Sequence, residues 1–318
     1  MAKQKRSENT YQKINSIFKR DINNIIMPYD GFTLPELDWL RPLKFSASEK
    51  IDGTNMRIEI KPCLLEEDGR VVMHVDLQIK GKTDNAEIPK LLKAYMEHNF
   101  VSSDDKGYQG ILDNYMKVIA AFGYDHCIYE ATRDTTGLEN ATIVDEWTKS
   151  GYIEKSGSHD MNGRTVNDYR ILKQPGQFTI YGEGYGKGIQ KAGPHYIKDG
   201  VSFIGFDVKW KDPNTGKEMY LNNENRDDIF AKIGIPSVPD MGMMTIDEAI
   251  EFVKKGFTSA ISEEKDFPAE GLVLKTPDGL RTRQGDRIIF KVKTNDFKKY
   301  FNKYGTYDNV EQTPNPNY

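Results

Sequence analysis

Apolar and polar positions alternate at two different periods along this 318-residue chain, and the change of period divides it into elements. Residues 11–26, YQKINSIFKRDINNII, repeat apolar side chains every three or four positions, the spacing of one helix face, and Met27-Pro28 closes the run. From Phe45 to Ile60 the period shortens to two: KFSASEKI reads as a strand, DGTN as a turn and MRIEI as a second strand. VVMHVDLQIKG predicts another strand, while IPKLLKAYMEHNF and ILDNYMKVIAAFG predict helices. QFTIYGEGYGKG and VSFIGFDVKW return to strand, TIDEAIEFVKKG to a short helix, and EGLVLKT and RIIFKVKT to strand. Residues 131–176 are polar and weakly periodic and read as a peripheral insertion. The pattern predicts an α+β protein of mainly antiparallel sheets flanked by helices. Its divisions are an N-terminal helical extension (1–44), a main domain (45–303) and a loose tail (304–318).

Composition narrows the class. Charged residues make up 29% and hydrophobic residues 37%, ordinary for a soluble chain. No apolar run approaches the roughly 20 residues of a membrane helix, and the start MAKQKRSENT is polar and basic where a signal peptide needs an apolar stretch. A cytoplasmic, monomeric protein without a membrane partner is expected. Cys63 and Cys127 are too few for a disulfide framework or a zinc cluster, and the five histidines show no ligand spacing. The net charge of −4 argues against coating nucleic acid by bulk attraction. The charge is uneven, however: Arg281 to Lys303 holds eight basic residues against two acidic, and the first twenty residues hold six against one. Either end could meet phosphates or form a solvated basic face.

Candidate chemistry begins at EKIDGTN, residues 49–55, where Lys50 stands as a strand enters a turn. Alone, the tetrapeptide also fits a surface lysine beside a tight turn. EGLVLK adds an acid, Glu270, at the head of a strand, and FKVK places Lys291 and Lys293 on one face of a second strand. Two like charges on one strand face repel unless an anion lies between them, and a triphosphate would serve. The apolar neighbours Ile288, Ile289, Phe290 and Val292 make a merely guarded sheet edge a poorer explanation.

In this order EKIDGTN, YGEGYG, FIGFDV, EGLVLK and FKVK resemble the motifs of covalent nucleotidyltransferases, the polynucleotide ligases and messenger RNA capping enzymes. EKIDGTNMRI followed by GKTDNAEIP and YGEGYGKGIQKAG is most similar to the RNA ligase 2-type branch. The resemblance implies the nucleotidyltransferase fold, the ATP-grasp-like adenylation domain of ligases, over residues 45–303. It implies an enzyme that takes AMP from ATP onto Lys50, passes it to an RNA 5′-phosphate and seals that end to a 3′-hydroxyl with Mg²⁺ or Mn²⁺. A free lysine is neutral in only about one molecule in 2,500 at pH 7. Lys291, Lys293 and a metal ion would all disfavour the ammonium form of Lys50.

The resemblance assigns further roles. Glu49 would read the adenine edge, Ile51 would lie against the nucleotide, and Phe206 would stack on the base, although Phe203 is close enough to be confused with it and either could be core. Glu183 would hold ribose or a metal-bound water, and Glu270 would reach the metal through water. Asn55 and Arg57 would contact phosphate or the RNA end, Lys293 the α-phosphate, and Lys291 the nucleotide. Lys82 in GKTDNA stands where the family usually has arginine, and lysine lacks the bidentate grip. Asp52 stands where RNA ligase 2-type proteins often have histidine, a form commoner in DNA ligases and capping enzymes. DNA or an RNA/DNA hybrid as substrate, a guanylyltransferase, and a non-catalytic RNA- or nucleotide-binding module therefore stay open. Only 25 residues follow Lys293, so no C-terminal OB-fold is expected. GKT at 81–83 lacks the glycine of a P-loop, and YGEGYGKG lacks dinucleotide-binding spacing.

Overall fold

The computed structural model describes residues 9–67, 70–100, 148–149, 151–161 and 163–306. In chain order its elements are β1 (Asn15–Ser16), α1 (Glu36–Leu40), β2 (Phe45–Glu49), β3 (Thr54–Glu67), β4 (Arg70–Gly81) and α2 (Lys90–Phe100). There follow β5 (Ile153–Met161), β6 (Arg164–Ile171), β7 (Gln177–Gly186), α3 (Gly193–Tyr196), β8 (Val201–Lys211), β9 (Glu218–Tyr220) and α4 (Asn223–Ile233). The chain continues through β10 (Asp240–Met244), α5 (Ile246–Lys255), β11 (Gly271–Lys275), β12 (Ile289–Lys293) and α6 (Thr294–Tyr304). The helix expected over ILDNYMKVIAAFG lies outside the described residues. No helix among the described residues is long and apolar enough to cross a membrane.

The chain divides into two compact units. The first comprises residues 1–9, 55–182 and 203–237 and contains most of a five-stranded sheet of order β4-β3-β7-β8-β9. β3 and β4 pair antiparallel from Met56↔Gly81 to Glu67↔Arg70. Ile58, Ile60, Phe178, Ile180 and Val208 are buried. Phe203 is buried too, with Phe100 of α2 set edge-on at 6.1 Å. Within the stretch read as an insertion, β5 and β6 form a separate antiparallel hairpin.

The second unit comprises residues 10–54, 183–202 and 238–318 and is built on a sheet of order β1-β12-β11-β2-β10. Alternation fixes its faces. Phe45 and Ala47 of β2, Leu272 and Leu274 of β11, and Phe290 and Val292 of β12 turn into one core. Helix α5 covers this core with Ile246, Ala249, Ile250 and Val253, and is started by a capping box in which Thr245 and Glu248 bond reciprocally. The opposite face carries Ser46, Ser48, Val273, Lys275, Lys291 and Lys293.

Residues 11–26 are not the helix that their spacing predicts. Asn15 and Ser16 form β1, pairing parallel with Phe290 and Lys291, and Arg20 bridges back to Ile26. The Asp21 carboxylate accepts the Ile25 N–H at 2.8 Å and Asn24 adopts a positive φ of 62°, so local polar side chains close a turn where a helix would continue. The apolar positions are filled for another reason. Ile17, Phe18 and Ile26 enter the core, with Phe18 stacked on Phe32 at 5.6 Å, whereas Ile22 at the turn is fully exposed.

Candidate active site

Three strand ends of the second unit meet at one edge of its sheet. β2 finishes, β11 begins and β12 finishes there, because each pair is antiparallel. Lys50, just past β2, donates its backbone N–H to Gly271 O at 2.8 Å, and Gly271 lies opposite Lys293 in the ladder. Glu270 precedes Gly271, and its backbone carbonyl accepts the Thr294 N–H at 3.0 Å. The carboxylate of Glu270 is thereby set between two amines: Oε2 is 2.6 Å from Lys50 Nζ and Oε1 is 2.6 Å from Lys293 Nζ. The three side chains are recessed but still open to solvent, at 21%, 14% and 29% of their full exposure for Lys50, Glu270 and Lys293, so a ligand can reach them.

Gly271 is what lets the strands close up here. Its φ is +148°, and a Cβ at this position would sit 2.0 Å from Val292 O. Gly53, in the turn after Lys50, does the same for the opposite wall: a Cβ there would lie 2.3 Å from Gly184 O and 2.8 Å from Glu183 Cγ. Glycine at 53 therefore admits Glu183 to the neighbourhood of Lys50.

Burial and like charge set the electrostatics. Glu183, recessed among protein atoms although part of its surface stays open, has its pKa pushed up to about 7. Burial is the chief cause; Glu270 and Asp52 add to it, and Lys50 opposes it. Asp52 is raised by burial and by Glu270, against Lys50 and Lys293. Lys291, whose side-chain amine makes no hydrogen bond or ion pair to any described residue, is lowered by burial, then by Lys50 and Lys293. Glu183, Asp52 and Lys291 are thus held away from their usual protonation, an arrangement that an incoming polyanion and cation would relieve. A cavity of about 320 Å³ opens beside them, lined by Asp52, Tyr196, Glu270, Lys293, Asn295 and Lys298 among others. No side chain caps the N-terminus of α6 at its rim.

The expected site residues divide between the two units. Lys50, Glu183, Glu270, Lys291 and Lys293 come together in the second. Glu49 and Ile51 belong to the same unit but are buried. Glu49 is buried, accepting Ser259 Oγ at 2.5 Å and Ala260 N at 2.9 Å, and burial raises its pKa against those two bonds. Both of its oxygens are thus engaged by the 259–260 turn. Ile51 is 3% exposed, and its carbonyl accepts Lys50 Nζ at 3.3 Å.

In the first unit, Asn55 and Phe206 are half-buried and Lys82 is exposed on the turn after β4. Arg57, expected to contact phosphate or the RNA end, is engaged within the protein. It is 1% exposed, its Nε donates to Glu59 at 2.8 Å, its Nη1 to Gly81 O at 2.6 Å, and its Nη2 pairs with Asp84. Its guanidinium is used up in tying β3 to the end of β4, because Glu59 two residues along shares its strand face.

Two groups went unnoticed in the sequence. Tyr196 of α3 is buried, and its hydroxyl accepts the Asp52 N–H at 3.2 Å, fixing the turn that follows Lys50. Ser259 fixes Glu49. Neither lies in a patterned motif; the only signal was an aromatic two residues after Pro194 in a glycine-rich stretch.

An α+β fold whose strand ends converge on a lysine–carboxylate–lysine chain, with a further lysine alongside whose side-chain amine bonds to no described residue, defines a site suited to phosphate chemistry. A family model described as RNA ligase matches residues 43–293, and the chain belongs to that family. Among solved structures it is similar to Naegleria gruberi RNA ligase with pyrophosphate, at 15% identity and a TM-score of 0.41, covering 95% of this chain and 64% of that one. A mutant of the same ligase with ATP and manganese is similar at 15% identity and a TM-score of 0.42, covering 96% and 64%. Another mutant, with AMP and manganese, gives 14% identity, a TM-score of 0.42, and 94% and 63%. The chain thus spans less than two thirds of the length of these ligases. No curated protein matches it.

Proposed function

We propose that this chain is an ATP-dependent RNA ligase that joins a 3′-hydroxyl to a 5′-phosphate through a nucleotide carried on Lys50. The observation that supports the reading is the placement of Lys50 Nζ on Glu270, with Lys293 on the other oxygen of the same carboxylate and Lys291 close by. In the first step the lone pair of Nζ forms a bond to the α-phosphorus of ATP, the bond to the β-phosphate oxygen breaks, and pyrophosphate leaves. Glu270 is the carboxylate nearest the amine and is placed to take its proton. Lys291 and Lys293 offset the charge on the phosphate oxygens as phosphorus becomes five-coordinate. In the second step an oxygen of the RNA 5′-phosphate forms the new bond to phosphorus, the P–N bond breaks, and Nζ regains a proton. In the third the 3′-oxygen attacks that 5′-phosphorus, AMP departs, and the hydroxyl proton is released.

A divalent ion fits as a lightly held partner. No group of three metal-ligating side chains is assembled among the described residues. Glu183 and Glu270, whose charges disfavour one another, would hold a hydrated ion through water, in the manner of Mg²⁺. When bound, such an ion withdraws charge from phosphate oxygens.

Labelled ATP or GTP, incubated with protein and Mg²⁺ or Mn²⁺ and run on a denaturing gel, tests the first step, and a panel of 5′-phosphorylated RNA and DNA ends tests the acceptor. Label retained from ATP alone and joining of RNA ends are expected. Label from GTP alone, or no label at all, overturns the reading.

A further inference from the structure

The two basic runs of the sequence meet. A groove of about 680 Å³ in the second unit is lined by Lys13, Lys19 and Arg20 from the first run and by Lys291, Lys293 and Lys299 from the second. Among the described residues Asp296 is the one acid on its wall, and it is already paired with Arg20 at 2.5 Å. The side-chain amines of Lys13, Lys291 and Lys299 make no hydrogen bond or ion pair to any described residue, and that of Lys19 donates to an uncharged acceptor, Asp30 O, at 2.9 Å. The N-terminal segment is tied down to make this wall. Ile17 N donates to Lys291 O at 2.9 Å, and Gln12 exchanges bonds of 2.7 and 2.8 Å with the backbone of Arg287.

We propose that this groove binds the sugar-phosphate backbone of an RNA strand and leads it to Lys50. The inference rests on the ligase reading above. Lysines 291 and 293 belong both to the groove and to the surroundings of Lys50, so the positive surface is continuous with the reacting centre. Both kinds of phosphate, the anhydride of ATP and the diester of RNA, would be attracted, and two features favour the strand. The groove is about twice the volume of the cavity lined by Asp52 and Glu270. Half-buried Ile14 and Met27 also give it apolar surface, which a sugar and base can cover and a bare polyphosphate cannot.

The test uses the full chain and a 5′-phosphorylated single-stranded oligoribonucleotide. With Lys13, Lys19 and Lys299 all changed to alanine, affinity measured by fluorescence anisotropy should fall by roughly tenfold or more. The slope of log affinity against log salt should lessen by about 2, at about 0.7 for each single-strand phosphate that is no longer neutralised. The triple change to arginine should restore both, and an unchanged Tm shows that folding is not the cause. Joining of a pre-adenylated RNA, which needs no ATP, should show a raised KM, while the rate of labelling Lys50 from ATP serves as the comparison. Loss of labelling with RNA affinity and salt slope unchanged would assign the groove to the triphosphate and overturn the proposal, as would no change in either. Should the parent chain fail to label from ATP, the ligase reading falls, and the binding and salt measurements still decide the groove.

Discussion

Glu270 divides its carboxylate between Lys50 and Lys293, 2.6 Å from each amine, and so makes two neighbouring cations dependent on one acid. Lys50→Ala should abolish retention of labelled nucleotide, by roughly three orders of magnitude or more. Glu270→Gln should keep the fold and lower labelling by about 10²-fold or more, since it can neither take a proton nor balance the two amines. A gel of denatured protein after incubation with labelled ATP measures both, and near-parental labelling by Lys50→Ala would rule the amine out.

Gly271→Ala should be among the most damaging single-methyl changes. The added Cβ would meet Val292 O at 2.0 Å and would demand a φ of +148°, which no L side chain adopts comfortably. A loss of about 3 kcal/mol or more is expected, seen as a Tm lowered by roughly 5–10 °C in a thermal melt.

Glu183 should give the ligand-free protein a pH-dependent stability. Its folded pKa, about 7, lies above the ordinary 4.5, so the native state holds the proton more tightly than the unfolded chain. The stabilisation is complete below about pH 4.5 and is lost as pH rises through 7. Glu183→Gln should flatten this dependence between pH 5 and 7.5 in urea titrations, where a single proton can contribute at most about 1.4 kcal/mol per pH unit. An unchanged slope would show that Glu183 ionises freely.

Glu59 should act in the opposite direction. Burial would raise its pKa, but Arg57 and then Lys61 hold it down to about 2, so its contribution is present above about pH 4.5 and is lost as pH falls towards 2. Arg57→Ala leaves this carboxylate buried without its main partner and should cost about 3–5 kcal/mol. Acid unfolding of the parent and the variant checks both statements.

How much was legible depended on whether a residue's neighbours were close in sequence or carried by strand alternation. FKVK announced two lysines on one face because a strand has period two, and EGLVLK announced an acid at a strand head; the α+β class followed from the same periods. Pairing was needed to show that β2, β11 and β12 end together, and nothing in the sequence says that Leu272 stands opposite Glu49. Residues 11–26 misled because core contacts from a turn can mimic helical spacing, and Asp21 and Asn24 were the sign of a turn that the spacing outweighed. The surroundings of Arg57 were hidden for the converse reason. Its partner Glu59 was visible two residues away, but a basic residue after a turn reads as exposed until Gly81 O and Asp84 close around it.

The strands that present Lys50 are assembled from far-apart stretches: Glu270 is 220 positions away, and Lys293 follows it only through the last hairpin of the sheet. During synthesis on a ribosome the amine therefore emerges long before its acid and its companion amines. A nascent or truncated polypeptide ending before residue 270 would carry Lys50 without Glu270, Lys291 or Lys293 beside it. The site is consequently assembled by completion of the sheet rather than by appearance of the lysine.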